Sequence, residues 1–181
     1  MDESTGLLLK ALRFASQKHS DQRRKNAKAS PYINHPIQVA QILWDVADVR
    51  DAALLIAAIL HDTIEDTDTT PDDIKREFGE EILALVLEVT DDKNLPGHIR
   101  KQLQVEHAPH KSERAKLLKL ADKISNVGDI SNWPPKDWSV ERRQEYLLWT
   151  ERVVAGLRGV NEKLERQYDD VLAQGKKALG I

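Results

Sequence analysis

The segment His61-Asp62-Thr63-Ile64-Glu65-Asp66-Thr67-Asp68 gathers an imidazole and several carboxylates within two helical turns. It follows directly on Ala52-Ala53-Leu54-Leu55-Ile56-Ala57-Ala58-Ile59-Leu60, which is apolar on every side. A helix apolar all round is buried in a core, and this one is too short to cross a bilayer. The acids therefore fall where that helix should end. Carboxylates there meet the negative end of the helix dipole and one another, a repulsion that a bound cation would relieve. At 3.6 residues per turn His61 should sit over Glu65, and Asp62 over Asp66. The plain alternative is an acidic, solvated helix end with a capping histidine.

Two further residues could complete such a site. His35 lies between two prolines in Pro31-Tyr32-Ile33-Asn34-His35-Pro36, and Asp122 lies in Lys119-Leu120-Ala121-Asp122-Lys123-Ile124-Ser125-Asn126, on an apolar-faced helix. An acid on such a face is costly unless paired or metal-bound. Taken alone, Asp122 reads first as a salt-bridge partner of Lys119 or Lys123, and His35 as a loop or helix-start histidine. Together with His61 and Asp62 they make a mixed nitrogen and oxygen donor set for a divalent transition metal, with zinc and iron open alongside manganese.

The elements that must position these residues are helical. Leu7, Leu8, Ala11, Leu12 and Ala15 mark a first amphipathic helix, which Ser4 or Thr5 could cap. Pro36 suits the first turn of a second, carrying Ile37, Val39, Ala40, Ile42, Leu43 and Val46. Thr70-Pro71-Asp72-Asp73 is a start signal for a helix running to Phe78. Gly79 then separates it from another with Ile82, Leu83, Leu85, Val86 and Val89. Asp91 to Gly97 reads as a turn-rich connection, with a second break at Ala108-Pro109-His110. Ala115 to Ile130 follows as a helix, then the loop Asn132-Trp133-Pro134-Pro135. Ser139 should cap a long helix bearing Tyr146, and Val160 to about Ala178 should form the last. Trp44, Trp133 and Trp149 are expected in packing, and His19, His98, His107 and His110 outside any ligand set. The spacing implies one all-α domain over residues 1–181, roughly eight to ten helices around the buried central one.

Composition narrows the function classes. The 181 residues are 40% hydrophobic and 31% charged, ordinary for a globular domain. A formal net charge of −3 advertises no nucleic-acid surface. The lack of cysteine excludes disulfides, thiol catalysis and thiolate-held zinc. No cationic-then-apolar leader opens the sequence, and no apolar run reaches membrane-spanning length, so a cytoplasmic location is expected, with no membrane and no nucleic-acid partner. Oligomeric state is not legible.

The ordered motifs carry a resemblance. His…His-Asp…Asp on helices resembles the HD phosphohydrolase superfamily. Gln22-Arg23-Arg24-Lys25, Pro31 to Pro36, Leu60 to Thr67, Val89-Thr90-Asp91-Asp92-Lys93 and Lys119 to Asn126 resemble the (p)ppGpp hydrolase domain of RelA/SpoT-type proteins. The small hydrolase-only, metazoan SpoT-homologue subgroup is the most similar, and the stretches Gln104 to His110 and Trp138 to Tyr146 look like it too. The resemblance implies that His35, His61, Asp62 and Asp122 hold one metal, usually Mn²⁺, and that Glu65 and Asp66 are the catalytic acidic pair. It further implies that Arg24, Lys25 and Asn126 bind substrate, and Tyr146 is placed with them as a residue that could pack on the nucleotide. The implied reaction is hydrolysis of the 3′-diphosphate of ppGpp or pppGpp to GDP or GTP and pyrophosphate. Alternatives are a phosphatase acting on NADPH at its 2′-phosphate or on another nucleotide, a non-catalytic nucleotide sensor, and a helical interaction domain. Some animal members act on NADPH through basic residues after the Asp91-Asp92-Lys93 stretch. Here that loop reads Leu95-Pro96-Gly97-His98.

Overall fold

In the computed structural model, which describes residues 3–26 and 28–181, every regular element is helical. In chain order these are α1 (Glu3–Lys18), α2 (Asn34–Asp45), α3 (Ala52–Leu60), α4 (Thr63–Asp66), α5 (Pro71–Phe78) and α6 (Glu80–Val89). Then come α7 (Gly97–His107), a single 3₁₀ turn (Ala108–His110), α8 (Glu113–Asn132), α9 (Val140–Ala155) and α10 (Glu162–Leu179). No strand occurs among the described residues, only the single bridges Arg23–Pro31 and Asn26–Pro135.

The central element is α3. Asp51 caps it, accepting from the Leu54 amide at 3.1 Å, and every residue from Leu54 to Leu60 is buried. It packs on α1, α2, α6 and α8. Burying a leucine or isoleucine is worth about 1.5–3 kcal/mol, so a row with no solvent face fixes α3 firmly. Its C-terminal end is therefore a rigid place from which to present polar groups. The expected capping box at α5 is present, Thr70 and Asp73 satisfying each other's backbone amides.

Along α8, the opposite wall, lies α10, and Gly175 permits the approach: a Cβ there would stand 2.4 Å from Ser131 Oγ. Ser4 and Thr5 lie inside α1, which starts at Glu3, so neither is its cap. Of the tryptophans expected in packing, only Trp149 is buried. Trp44 is 46% exposed beneath the Arg50 guanidinium, and Trp133 is 52% exposed at the mouth of a cavity. Both occupy outward helix-end or loop positions that hydrophobicity alone does not reveal. Among the described residues no helix is long and apolar enough to cross a membrane.

Candidate active site

The four predicted donors converge between α2, the end of α3, and α8. The buried helix ends at the acidic segment, as its composition implied, but the turn does not continue unbroken into it. α3 closes at Leu60, Asp62 takes φ −98° and ψ −2°, and α4 restarts at Thr63. The Thr63 hydroxyl bonds the Leu60 carbonyl at 2.7 Å and so satisfies part of the break. The corner brings His61 and Asp62 towards His35 and Asp122, while Asp66 lines the adjoining cavity and Glu65 lies behind it against Asp91 and Arg100.

His35, His61 and Asp62 each bring a ligand atom within 4.8 Å of the others. His61 Nε2 is 3.1 Å from Asp62 Oδ2, and His35 Nε2 is 3.7 Å from the same oxygen. Asp122 faces them from α8, its Oδ1 3.1 Å from His35 Nε2 and 3.8 Å from His61 Nε2. Its other oxygen meets Lys123 Nζ at 3.3 Å, so the ion pair that α8 could make is present together with the donor geometry.

Hydrogen bonds behind the ligand atoms decide which ring nitrogens are available. The Ser125 hydroxyl donates to Gln38 Oε1 at 3.0 Å, which leaves its oxygen to accept from His35 Nδ1–H at 2.9 Å. His61 Nδ1–H donates to the Ala58 carbonyl at 2.8 Å. In the neutral rings both Nε2 atoms therefore present their lone pairs inward, and that of His61 is buried without a hydrogen-bond partner. An orphaned imidazole nitrogen beside two carboxylates fits a divalent cation. The charges agree. Burial alone would push the His61 pKa down, yet Asp62 and Asp122 pull it up to about 9. Burial would likewise raise Asp122, but Lys123 and the imidazoles hold it well below the usual carboxylate range. Burial, reinforced by Arg24, keeps the His35 pKa low.

Next to this cluster lies a cavity of about 470 Å³, bounded at its inner end by Asp66 and Asn126 and at its outer end by Trp133 and Trp138. Arg24, Lys25, Asn126 and Tyr146 all line it. Arg24 is held by Asp129 Oδ2 at 2.6 Å and by Asn126 Oδ1 at 3.0 Å, with its guanidinium over the Tyr32 ring. Asn126 in turn donates to Asp122 Oδ1 at 2.7 Å. Tyr146 packs between Trp138 and Trp149. Glu65 accepts from the Asp91 amide at 3.2 Å and pairs with Arg100 at 3.4 Å, while Asp66 is bound by Lys93. Burial and neighbouring Asp91 raise the Glu65 pKa. His19 is buried against Tyr32, its Nδ1 on Gln22 at 2.7 Å, away from the donor set.

Several contributors had no role assigned from sequence. Tyr32 donates to Asp62 Oδ2 at 2.7 Å and lies 3.3 Å from Asp66, bridging the donor set and the acidic pair. Asp129 was legible in principle, since Asp122, Asn126 and Asp129 repeat at i, i+4 and i+7 on one face of α8. Lys93 and Arg100 carried no comparable periodic signal.

The chain is similar to known proteins along most of its length. Residues 11–150 match the family described as HD domain. A Xenopus tropicalis protein named guanosine-3′,5′-bis(diphosphate) 3′-pyrophosphohydrolase MESH1 is 51% identical over 93% of this chain and 94% of its own length. The human protein of the same name is 51% identical over 96% and 97%. A solved structure of a metazoan orthologue of SpoT, described as hydrolysing ppGpp and playing a role in starvation responses, superposes with a TM-score of 0.91 at 45% identity over 93% of this chain and 94% of that one.

Proposed function

The chain belongs to the HD-domain family, and we infer that it hydrolyses guanosine 3′,5′-bis(diphosphate), releasing GDP and pyrophosphate and so ending an alarmone signal. The observation that carries this reading is the near-full-length identity to ppGpp pyrophosphohydrolases, 51% over 93% of this chain, in a chain whose four donors converge.

We assign the metal site to His35, His61, Asp62 and Asp122, with Mn²⁺ as the ion and Zn²⁺ or Fe²⁺ compatible with the same donors. When bound, the ion acidifies a water and polarises a phosphoryl oxygen. Glu65, its proton affinity raised by burial, is placed to accept the proton of the attacking water. Asp66, fixed between Lys93 and Tyr32, orients that water. The water oxygen adds to the phosphorus nearest the ribose, the bond from that phosphorus to the 3′-oxygen breaks, and the 3′-oxygen takes up a proton. Arg24, Lys25 and Lys93 face the phosphates, Asn126 joins Arg24 to Asp122, and Tyr146 with Trp138 offers an aromatic wall to the base. A cysteine-free chain with this chemistry suits the cytoplasm.

The test is steady-state hydrolysis by metal-stripped protein with Mn²⁺ restored or withheld. Mn²⁺-dependent release of GDP and pyrophosphate from ppGpp, with NADPH a poor substrate, is the expected result. NADPH turnover of comparable efficiency makes the enzyme dual-substrate, and inactivity towards ppGpp overturns the reading.

A further inference from the structure

Glu65 is held from α7, an element with no buried residue of its own. Arg100 Nη1 reaches Glu65 Oε1 at 3.4 Å. One turn further on the same face, Gln104 donates to the Asp91 carboxylate, and the Asp91 amide donates to Glu65 Oε2 at 3.2 Å. Both Glu65 oxygens are therefore fixed through α7, one directly and one through Asp91. Trp149 anchors the helix behind them, its indole N–H bonded to the Lys101 carbonyl at 3.0 Å.

A second observation separates this arrangement from ordinary packing. Arg100 Nε and Gln104 Oε1 are both buried and neither has a hydrogen-bond partner. Leaving a buried arginine donor and a buried amide oxygen unmet is a poor way to stabilise a helix, because the desolvation of those atoms is not repaid. The contacts these side chains do satisfy are those towards Glu65 and Asp91.

We propose that Arg100 and Gln104 are positioning residues for the hydrolysis, setting the direction and charge of Glu65 without touching substrate. The proposal rests on the catalytic role assigned to Glu65 above. Lys93, 3.7 Å from the same carboxylate, is bound to Asp66 and does not replace Arg100. With Arg100 gone, Glu65 keeps the Asp91 amide on one oxygen and is free to turn about it.

The experiment is a double-mutant cycle between Arg100→Met and Glu65→Gln, read by single-turnover ppGpp hydrolysis with Mn²⁺. Arg100→Met should lower kcat about tenfold with KM within about twofold, and should cost less than about twofold in the Glu65→Gln background. Arg100→Lys should recover part of the rate. The melting temperature of Arg100→Met should be unchanged or higher, whereas a merely structural arginine would lower it. Equal losses in both backgrounds, or a KM effect without a kcat effect, overturn the proposal. A readout independent of substrate is the carboxyl titration of Glu65 followed by carbon NMR, which should move to higher pH in Arg100→Met. An unmoved titration overturns the positioning role even if ppGpp proves not to be the substrate, and a moved one with no ppGpp turnover faults the functional reading alone.

Discussion

Ser125→Ala separates what holds the metal from what holds the fold. Ser125 is buried on α8, and its hydroxyl links the His35 Nδ1–H, at 2.9 Å, to Gln38 Oε1, at 3.0 Å. In the metal-free variant His35 can move its proton to Nε2, where Asp122 Oδ1 waits at 3.1 Å. Gln38 is exposed and turns to water. The metal-free protein should therefore lose no more than about 1 kcal/mol, roughly 2–4 °C in Tm. With metal bound that escape is closed, because Nε2 must present its lone pair and Nδ1–H is left buried without an acceptor. An unmet buried donor costs about 1–3 kcal/mol, and loss of an outer hydrogen bond to a metal-bound histidine weakens affinity about 10- to 100-fold, about 1.4–2.7 kcal/mol. The two figures agree. Calorimetric titration with Mn²⁺, paired with thermal melts in its presence and absence, reads both halves. Wild-type Mn²⁺ affinity in Ser125→Ala, or a metal-free melt lowered as much as the metal-loaded one, would refute the tautomer argument.

Further outcomes follow from the same geometry. Asp62→Ala or Asp122→Ala should abolish stoichiometric metal uptake, measured by elemental analysis after dialysis; full occupancy in either sinks the ligand assignment. Glu65→Gln or Asp66→Asn should keep metal and melting behaviour while lowering kcat by about 10²–10⁴, the range for proton-transfer catalysis; near-normal turnover in both removes them from the chemistry. Gly175→Ala should destabilise by about 1–3 kcal/mol, because Ser131 is pinned by its bond to the Val127 carbonyl at 2.8 Å and cannot swing away from the new Cβ. A denaturant midpoint equal to wild type would show that α8 and α10 yield more readily.

The sequence exposed the fold where a single local rule acts alone. Ala52 to Leu60 has no polar face, so only burial suits it, and the Thr70-Pro71-Asp72-Asp73 signal determines its own helix start. The four residues proposed as donors could be grouped from the sequence because two histidines and two aspartates among otherwise apolar helix residues need a reason to be there. Harder to see were features made by contacts between distant segments. Ser125 and Gln38 are 87 residues apart, and neither residue type announces a hydrogen-bond relay. The helix end at His61-Asp62 was legible from the switch of apolar to acidic residues, but the restart at Thr63 was not. α7 left only a weak pattern, since it buries none of its residues and is held by polar contacts to Glu65, Asp91 and Trp149. Trp133 belongs to the cavity mouth because the Asn26–Pro135 bridge draws its loop there, a pairing that composition cannot show.

The same electrostatics make metal uptake a proton exchange. His61 Nδ1 is committed to the Ala58 carbonyl, so Nε2 is the one position that can carry either a second proton or a metal. In the metal-free protein burial disfavours the imidazolium, but Asp62 and Asp122 outweigh it and raise the pKa to about 9. A raised pKa stabilises the folded protein fully below the ordinary histidine value of 6.5, and that contribution is lost as pH rises through about 9. Metal-free protein should thus weaken across that window as far as His61 governs it. Metal affinity should move the opposite way, rising about tenfold per pH unit and levelling off near pH 9, because each ion must displace the His61 proton. Calorimetry at pH 7.5 in buffers of different ionisation enthalpy counts that proton directly. A binding enthalpy independent of the buffer would mean that His61 is already neutral, and that the two carboxylates are compensated chiefly by Lys123 instead.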